Sequence, residues 1–155
     1  MADKNSRLKY HVGRFTITDN KTALSVSAVV EVDGTDVRGA AWFSFDALGV
    51  KSESIQMAFD IIELNTASVM IKNLREDGVY ERKSGGNMAL KTLSVEIQNG
   101  STGVIKIVTK GGSRSITVPA MNLIGLGVEI ERVAKTLSEA VYKSQQFYKN
   151  KKVKT

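Results

Sequence analysis

The chain has 155 residues, 42% of them hydrophobic and 25% charged, with no cysteine and a formal net charge of +6. That length and composition predict one soluble globular domain around a single core, and exclude a disulfide scaffold, a thiolate metal site and a thiol nucleophile. No segment approaches the roughly 18 apolar residues of a membrane span, and the N-terminus lacks a signal-peptide core, so the reading is an intracellular protein of the cytoplasm or a nucleoid-like compartment.

From Leu8 to Asp46 the pattern alternates at period two. Phe15 and Ile17 fall on the inward parity of a first strand; Leu24, Val26, Ala28, Val30 and Val32 form the apolar face of a second. Asp33-Gly34-Thr35-Asp36 is a hairpin turn, and the third strand points Val37, Ala41, Phe43 and Phe45 inward and Arg38 and Trp42 outward. From about Glu53 the spacing of Ile55, Ala58, Phe59 and Ile62 predicts a helix. Residues 66–74 either extend that helix or open the next strand, and their β-branched content leans to strand.

The polar, glycine-rich stretch Arg75 to Met88 reads as an exposed connection. A second unit follows, with Leu93, Val95 and Ile97, then Ile105 and Ile107, then Ile116 and Val118 on the inward parity, before Pro119 closes the strand. Leu126, Ile130, Val133, Ala134, Leu137, Ala140 and Val141 make the apolar stripe of a second helix ending near Tyr148. Five lysines after Tyr142 (Lys143, Lys149, Lys151, Lys152 and Lys154) carry five of the six net positive charges, and no acid follows Glu139. Residues 143–155 therefore read as a basic tail, either an attractor of polyanions or a solubilising end.

The order of elements repeats. Two pseudo-repeated β-β-β(-β)-α units, at about 8–65 and 66–142, predict an α+β fold in which twisted antiparallel sheets pack with two amphipathic helices as a single globular domain over 1–142. A sheet with one apolar face buries it poorly alone, so the two copies are expected to share a core.

Chemistry of the catalytic kind is not signalled. The lone histidine, His11, shares the parity of Phe15 and Ile17 and has no serine, carboxylate or thiol at a suggestive spacing. Glu129 and Glu131 split across a helix, Asp33 and Asp36 belong to a turn, and the glycine-rich segments lack the P-loop pattern. No enzyme activity, metal or cofactor is expected. What remains is the outward face of the sheets, where the strand parities collect Tyr10, Arg14, Arg38, Trp42, Lys106 and Lys110. Bases stack on aromatic rings at roughly 1–3 kcal/mol each while lysine and arginine offset phosphate charge, so this mixture suits single-stranded DNA or RNA. The same outward tryptophan suits a protein or oligomer interface.

The run Ser94 to Gly100, then Gly103 to Ile107, then Ser113 to Pro119, then an amphipathic helix is similar to the repeat of the Whirly and PUR-repeat group of single-stranded nucleic-acid binders, and Phe15 to Ile62 follows the same plan. The resemblance implies a homo-oligomer that binds single strands without strong sequence readout, acting in replication, recombination, transcription or RNA processing. In that reading Trp42 and Tyr10 stack on bases, Arg14, Arg38, Lys106, Lys110 and Arg114 hold phosphates, and Lys149, Lys151, Lys152 and Lys154 speed encounter. Two rivals come from other classes. Gly111 to Tyr142 also resembles the last strand and helix of the regulatory domain of isopropylmalate and citramalate synthases, which implies small-molecule binding and dimerisation. A small, cysteine-free, β-rich chain with a tail equally suits a structural subunit of a phage or other assembly.

Overall fold

The structure, a computed structural model, describes residues 7–76, 78–85 and 90–153, with side chains for all of these except Arg7 and residues 150–153. In chain order the elements are β1 (Arg7–Thr18), β2 (Thr22–Asp33), β3 (Asp36–Ala47), β4 (Ile55–Phe59), α1 (Ile61–Lys72), β5 (Val79–Ser84), β6 (Lys91–Gln98), β7 (Thr102–Thr109), β8 (Gly112–Pro119) and α2 (Met121–Val153). They build two four-stranded antiparallel sheets, ordered β1-β2-β3-β4 and β5-β6-β7-β8, each a meander leading into a helix. The fold is α+β with two similar β-rich units, as the repeated pattern predicts.

Register explains which side of the first sheet is buried. Leu24 faces Phe45, Val26 faces Phe43, Ala28 faces Ala41 and Val32 faces Val37, and all eight side chains are buried. Gly34, at φ 66°, closes the connecting turn in a conformation that glycine adopts without steric cost. In the second sheet Val95, Ile105 and Ile116 form one inward row across three strands. Asn99 (φ 54°) and Gly100 (φ 71°) make the tight turn between β6 and β7.

Four local expectations are corrected. Ile55–Phe59 is the fourth strand rather than the start of a helix: it pairs with Ala41–Phe45, burying Met57 and Phe59. The helix begins after Asp60, whose carboxylate accepts from the Glu63 amide while the Glu63 carboxylate accepts from the Asp60 amide, a capping box that satisfies two amides otherwise without a partner. Residues 66–72, expected to lean to strand, continue that helix. Part of the expected connection is β5, whose polar sequence still places Tyr80 and Arg82 inward. Finally, the expected basic tail is helical as far as Val153, where α2 ends, so Lys143, Lys149, Lys151 and Lys152 sit on a rod of about 50 Å at 1.5 Å per residue.

The helices interlock the units. Helix α2 follows the second sheet yet crosses the inner face of the first, so close at Gly39 that a Cβ there would stand 2.6 Å from Val141 and 2.9 Å from Leu137. Helix α1 meets α2 at Gly127, where a Cβ would be 2.4 Å from the Lys72 side chain and 3.1 Å from the Ser68 carbonyl. Lys72 then reaches Glu131 at 2.5 Å. Buried side chains from both sheets and both helices form one continuous core. No helix among the described residues is long and apolar enough to cross a membrane.

Candidate functional site

The outer face of the first sheet carries three of the expected residues. Arg14 pairs across from Ser27 and Ser27 from Trp42, while Glu31 pairs across from Arg38. Between these rows lies a trough of about 490 Å3, with Trp42 beside it, 40% exposed. His11 and Lys9 border the trough from β1, and His11 Nδ1 is hydrogen-bonded to Ser27 Oγ at 3.0 Å. The expectation that His11 shares the inward parity of Phe15 is corrected by a bulge: the β1–β2 register shifts between His11 and Gly13. An extra residue in a strand reverses the faces on either side of it.

The same bulge removes Tyr10 from the group. Tyr10 pairs across from buried Val30 on the helix side of the sheet, and its hydroxyl shares a short hydrogen bond with Ser144 of α2. Arg114 is also turned inward. Its guanidinium donates to the Phe45 carbonyl at 2.6 Å and to Ser52 Oγ at 2.9 Å, joining β8 to the first sheet. Lys106 and Lys110 are exposed but belong to the other sheet, Lys106 between Ser94 and Ser115, Lys110 in the turn after β7. Lys149 is exposed on α2; Lys151 and Lys152 lie in its last turn with side chains outside the described set, and Lys154 is outside the described residues.

Arg38, though exposed, is engaged. Its Nε and Nη2 both donate to Asp36 Oδ2, at 2.9 and 2.7 Å. That hydrogen bond, with smaller contributions from Glu31 and Asp33, raises the guanidinium pKa above its ordinary value. A cation with carboxylates around it adds little to phosphate attraction.

The opposite side of the molecule holds a feature the sequence reading missed. Helix α1 has two charged side chains, and both are spent on the second unit: Glu63 accepts from Arg82 at 2.5 and 2.9 Å, and Lys72 donates to Glu131. Its exposed positions are Ile62, Asn65, Thr66, Val69, Met70 and Asn73, none of them charged. Ile62 is 77% exposed, Val69 54% and Met70 47%. Asn65, Thr66, Val69 and Met70 line a hollow of about 300 Å3 between two i, i+4 rows, the kind of groove into which a second helix packs a ridge. From α2, which crosses α1 at Gly127, the neighbouring outward positions add Met121, Ile124 and Val128, all exposed. A solvated helix normally carries charge on its outer face. The available signal was the capping box at Asp60 and Glu63, which fixes the helix start and so puts Val69 and Met70 on its surface.

No protein-family model matches the chain, and no curated protein matches it. Among solved structures it is similar to an SsgA-like sporulation-specific cell division protein from Thermobifida fusca, at 13% identity and a TM-score of 0.34, covering 96% of this chain and 92% of that one. It is also similar to SsgB of Streptomyces coelicolor, mutations in which correlate with longitudinal cell division during sporulation, at 16% identity and a TM-score of 0.32 over 92% and 94% of the two chains. These neighbours are cell division proteins, not Whirly or PUR-repeat proteins, which corrects the expected resemblance and with it the expected single-stranded DNA or RNA partner. The geometry agrees with the correction, since Tyr10 and Arg114 leave the proposed surface and Arg38 is engaged. At TM-scores this low the likeness itself carries no argument about what this chain does.

Proposed function

We propose that the protein is a non-enzymatic assembly subunit that works inside the cell by protein–protein contact through the outer face of its helix layer. The observation that supports this most is the uncharged outer surface of α1, where Ile62, Val69 and Met70 stand exposed beside Asn65, Thr66 and Asn73, with Met121, Ile124 and Val128 exposed on α2, on a chain that is a quarter charged. Ile62, Val69, Met70, Met121, Ile124 and Val128 expose from 44% to 82% of their surface. Fully burying one such side chain contributes about 1.5–3 kcal/mol, so a contact that covers several of them supplies apolar burial of the size that association requires. Exposed patches of this kind mark protein interfaces more often than chance placement of single apolar residues does. A cysteine-free chain suits the reducing interior of the cell.

Sedimentation velocity of the full chain over a range of concentrations tests the proposal, alongside Val69→Glu and Ile124→Glu. The wild type is expected to self-associate with concentration, and each glutamate to hold the chain monomeric with little change in Tm, because both positions are exposed. A wild type that stays monomeric at every concentration, or variants that associate as it does, would overturn the reading.

A further inference from the structure

The trough on the first sheet lies away from the helix face and has a separate chemistry. Its floor includes Val29, Gly39 and Ala40, none larger than valine, and its volume of about 490 Å3 falls within the range of small-ligand sites. Trp42, 40% exposed, lines it toward one end. Lys9 stands at the other, in the row it shares with Glu31 and Arg38. Arg38 and Trp42 are four residues apart along β3, so the two ends are separated by about 13 Å at 3.3 Å per residue.

The charges at that end differ in availability. Arg38 is doubly bonded to Asp36, whereas Lys9 has no ion pair among the described residues. Glu31, between them, contributes to the field that holds Arg38, so the one cation left at this end balances no more than a single negative charge. Between the ends the lining is apolar or hydroxylic, with His11 held by Ser27 at the border.

We propose that this trough binds a small monoanion with an aromatic ring at one end, in chemical class an arylalkyl carboxylate, with its ring against Trp42 and its carboxylate at Lys9. The site is independent of the assembly reading, because neither Lys9 nor Trp42 lies on the helix face. The chain's single tryptophan and single histidine both border the trough, so each gives one resonance that reports it.

The test is a titration of the full-length protein with 4-phenylbutyrate, followed at the Trp42 indole N–H and the His11 imidazole. Saturable shifts are expected, with a Kd of about 1 mM or below for a ligand of this size. The neutral alcohol and the amine of the same length should bind about fivefold more weakly or worse, because they lack the charge-assisted contact. Lys9→Gln should cost the carboxylate a similar factor and leave Tm unchanged. Absence of saturable shifts at millimolar ligand, equal binding of the alcohol, or a Lys9→Gln variant that binds as wild type would each overturn the proposal.

Discussion

Arg82 joins three elements of the fold through one side chain. It projects inward from β5, donates twice to Glu63 of α1 and lies 4.1 Å from the centroid of the Phe59 ring on β4, while its Nη1 is buried without a partner. Arg82→Met keeps the bulk but leaves Glu63 without its cation, and is expected to cost about 1–3 kcal/mol, with roughly 2–4 °C of Tm lost for each kcal/mol. Arg132→Met, which removes an exposed pair with Glu129, should cost less than about 1 kcal/mol. Thermal unfolding of the two variants side by side checks the contrast. Acidity reads out the same residue. Burial pushes the Glu63 carboxyl up, but the Asp60 amide and the Arg82 guanidinium outweigh it and hold the pKa below its ordinary 4.5. Asp19 behaves similarly: burial opposes ionisation, while the amides of Lys21, Thr117 and Thr22 hold it below its ordinary 3.8. Both groups favour the folded state above those ordinary values, and that contribution is lost as pH falls through the lowered folded values. Tm should therefore decline below pH 4.5, and more shallowly in Glu63→Gln, whose starting Tm is lower. An identical acid decline in the variant would remove Glu63 from the account.

Two glycines within one turn of α2, Gly125 and Gly127, separate helix propensity from helix packing. Gly125 has nothing within 4 Å of a built Cβ, whereas Gly127 sits against Lys72 and the Ser68 carbonyl. Gly125→Ala should raise stability by about 0.4–1 kcal/mol, and Gly127→Ala should lower it by about 1–3 kcal/mol by forcing α1 and α2 apart. Equilibrium denaturation of the pair tests whether the crossing is as close as described. At this scale the sequence was legible wherever one period applied alone. The inward sets of β2 and β3 were readable because alternation runs over twelve residues in each strand. Ile55–Phe59 was ambiguous because five residues fit both periods: Ile55, Ala58 and Phe59 suit a helix, and Ile55, Met57 and Phe59 suit a strand. Pairing with β3 decides between them, and that is a long-range contact. The strand β5 was hidden because one of its inward residues is an arginine whose partners lie on other elements. Gly13 hinted at the bulge that reverses the face of Tyr10, since a glycine inside a strand often marks one. Of the candidate site, Trp42, Arg38 and Arg14 were placed correctly on the outer face. The outer face of α1 is not legible, because the β-branched content of residues 66–74 leans to strand and hides the helical spacing of Ile62, Val69 and Met70.

For the whole molecule, interlocking has a thermodynamic consequence. Helix α2 covers the first sheet, and Arg82 and Lys72 tie the units together through Glu63 and Glu131, so neither sheet has a complete core of its own. Calorimetry should show one cooperative transition, and a fragment of residues 7–76 should fail to fold cooperatively; a fragment with its own sharp transition would refute the shared core. The surface around this core divides by chemistry: a sheet face with a largely apolar trough bordered by cations, and an outer face of α1 that carries no charge and exposes Ile62, Val69 and Met70. If assembly runs through the helix face, salt should not weaken it, since screening acts on charges while concentrated salt leaves apolar burial intact or strengthens it. The most direct measurement is sedimentation equilibrium of the full chain at low and at molar NaCl. Association that is unchanged or tighter at high salt is the predicted result. Dissociation into monomers at high salt would contradict the account and move the contact to charged surface.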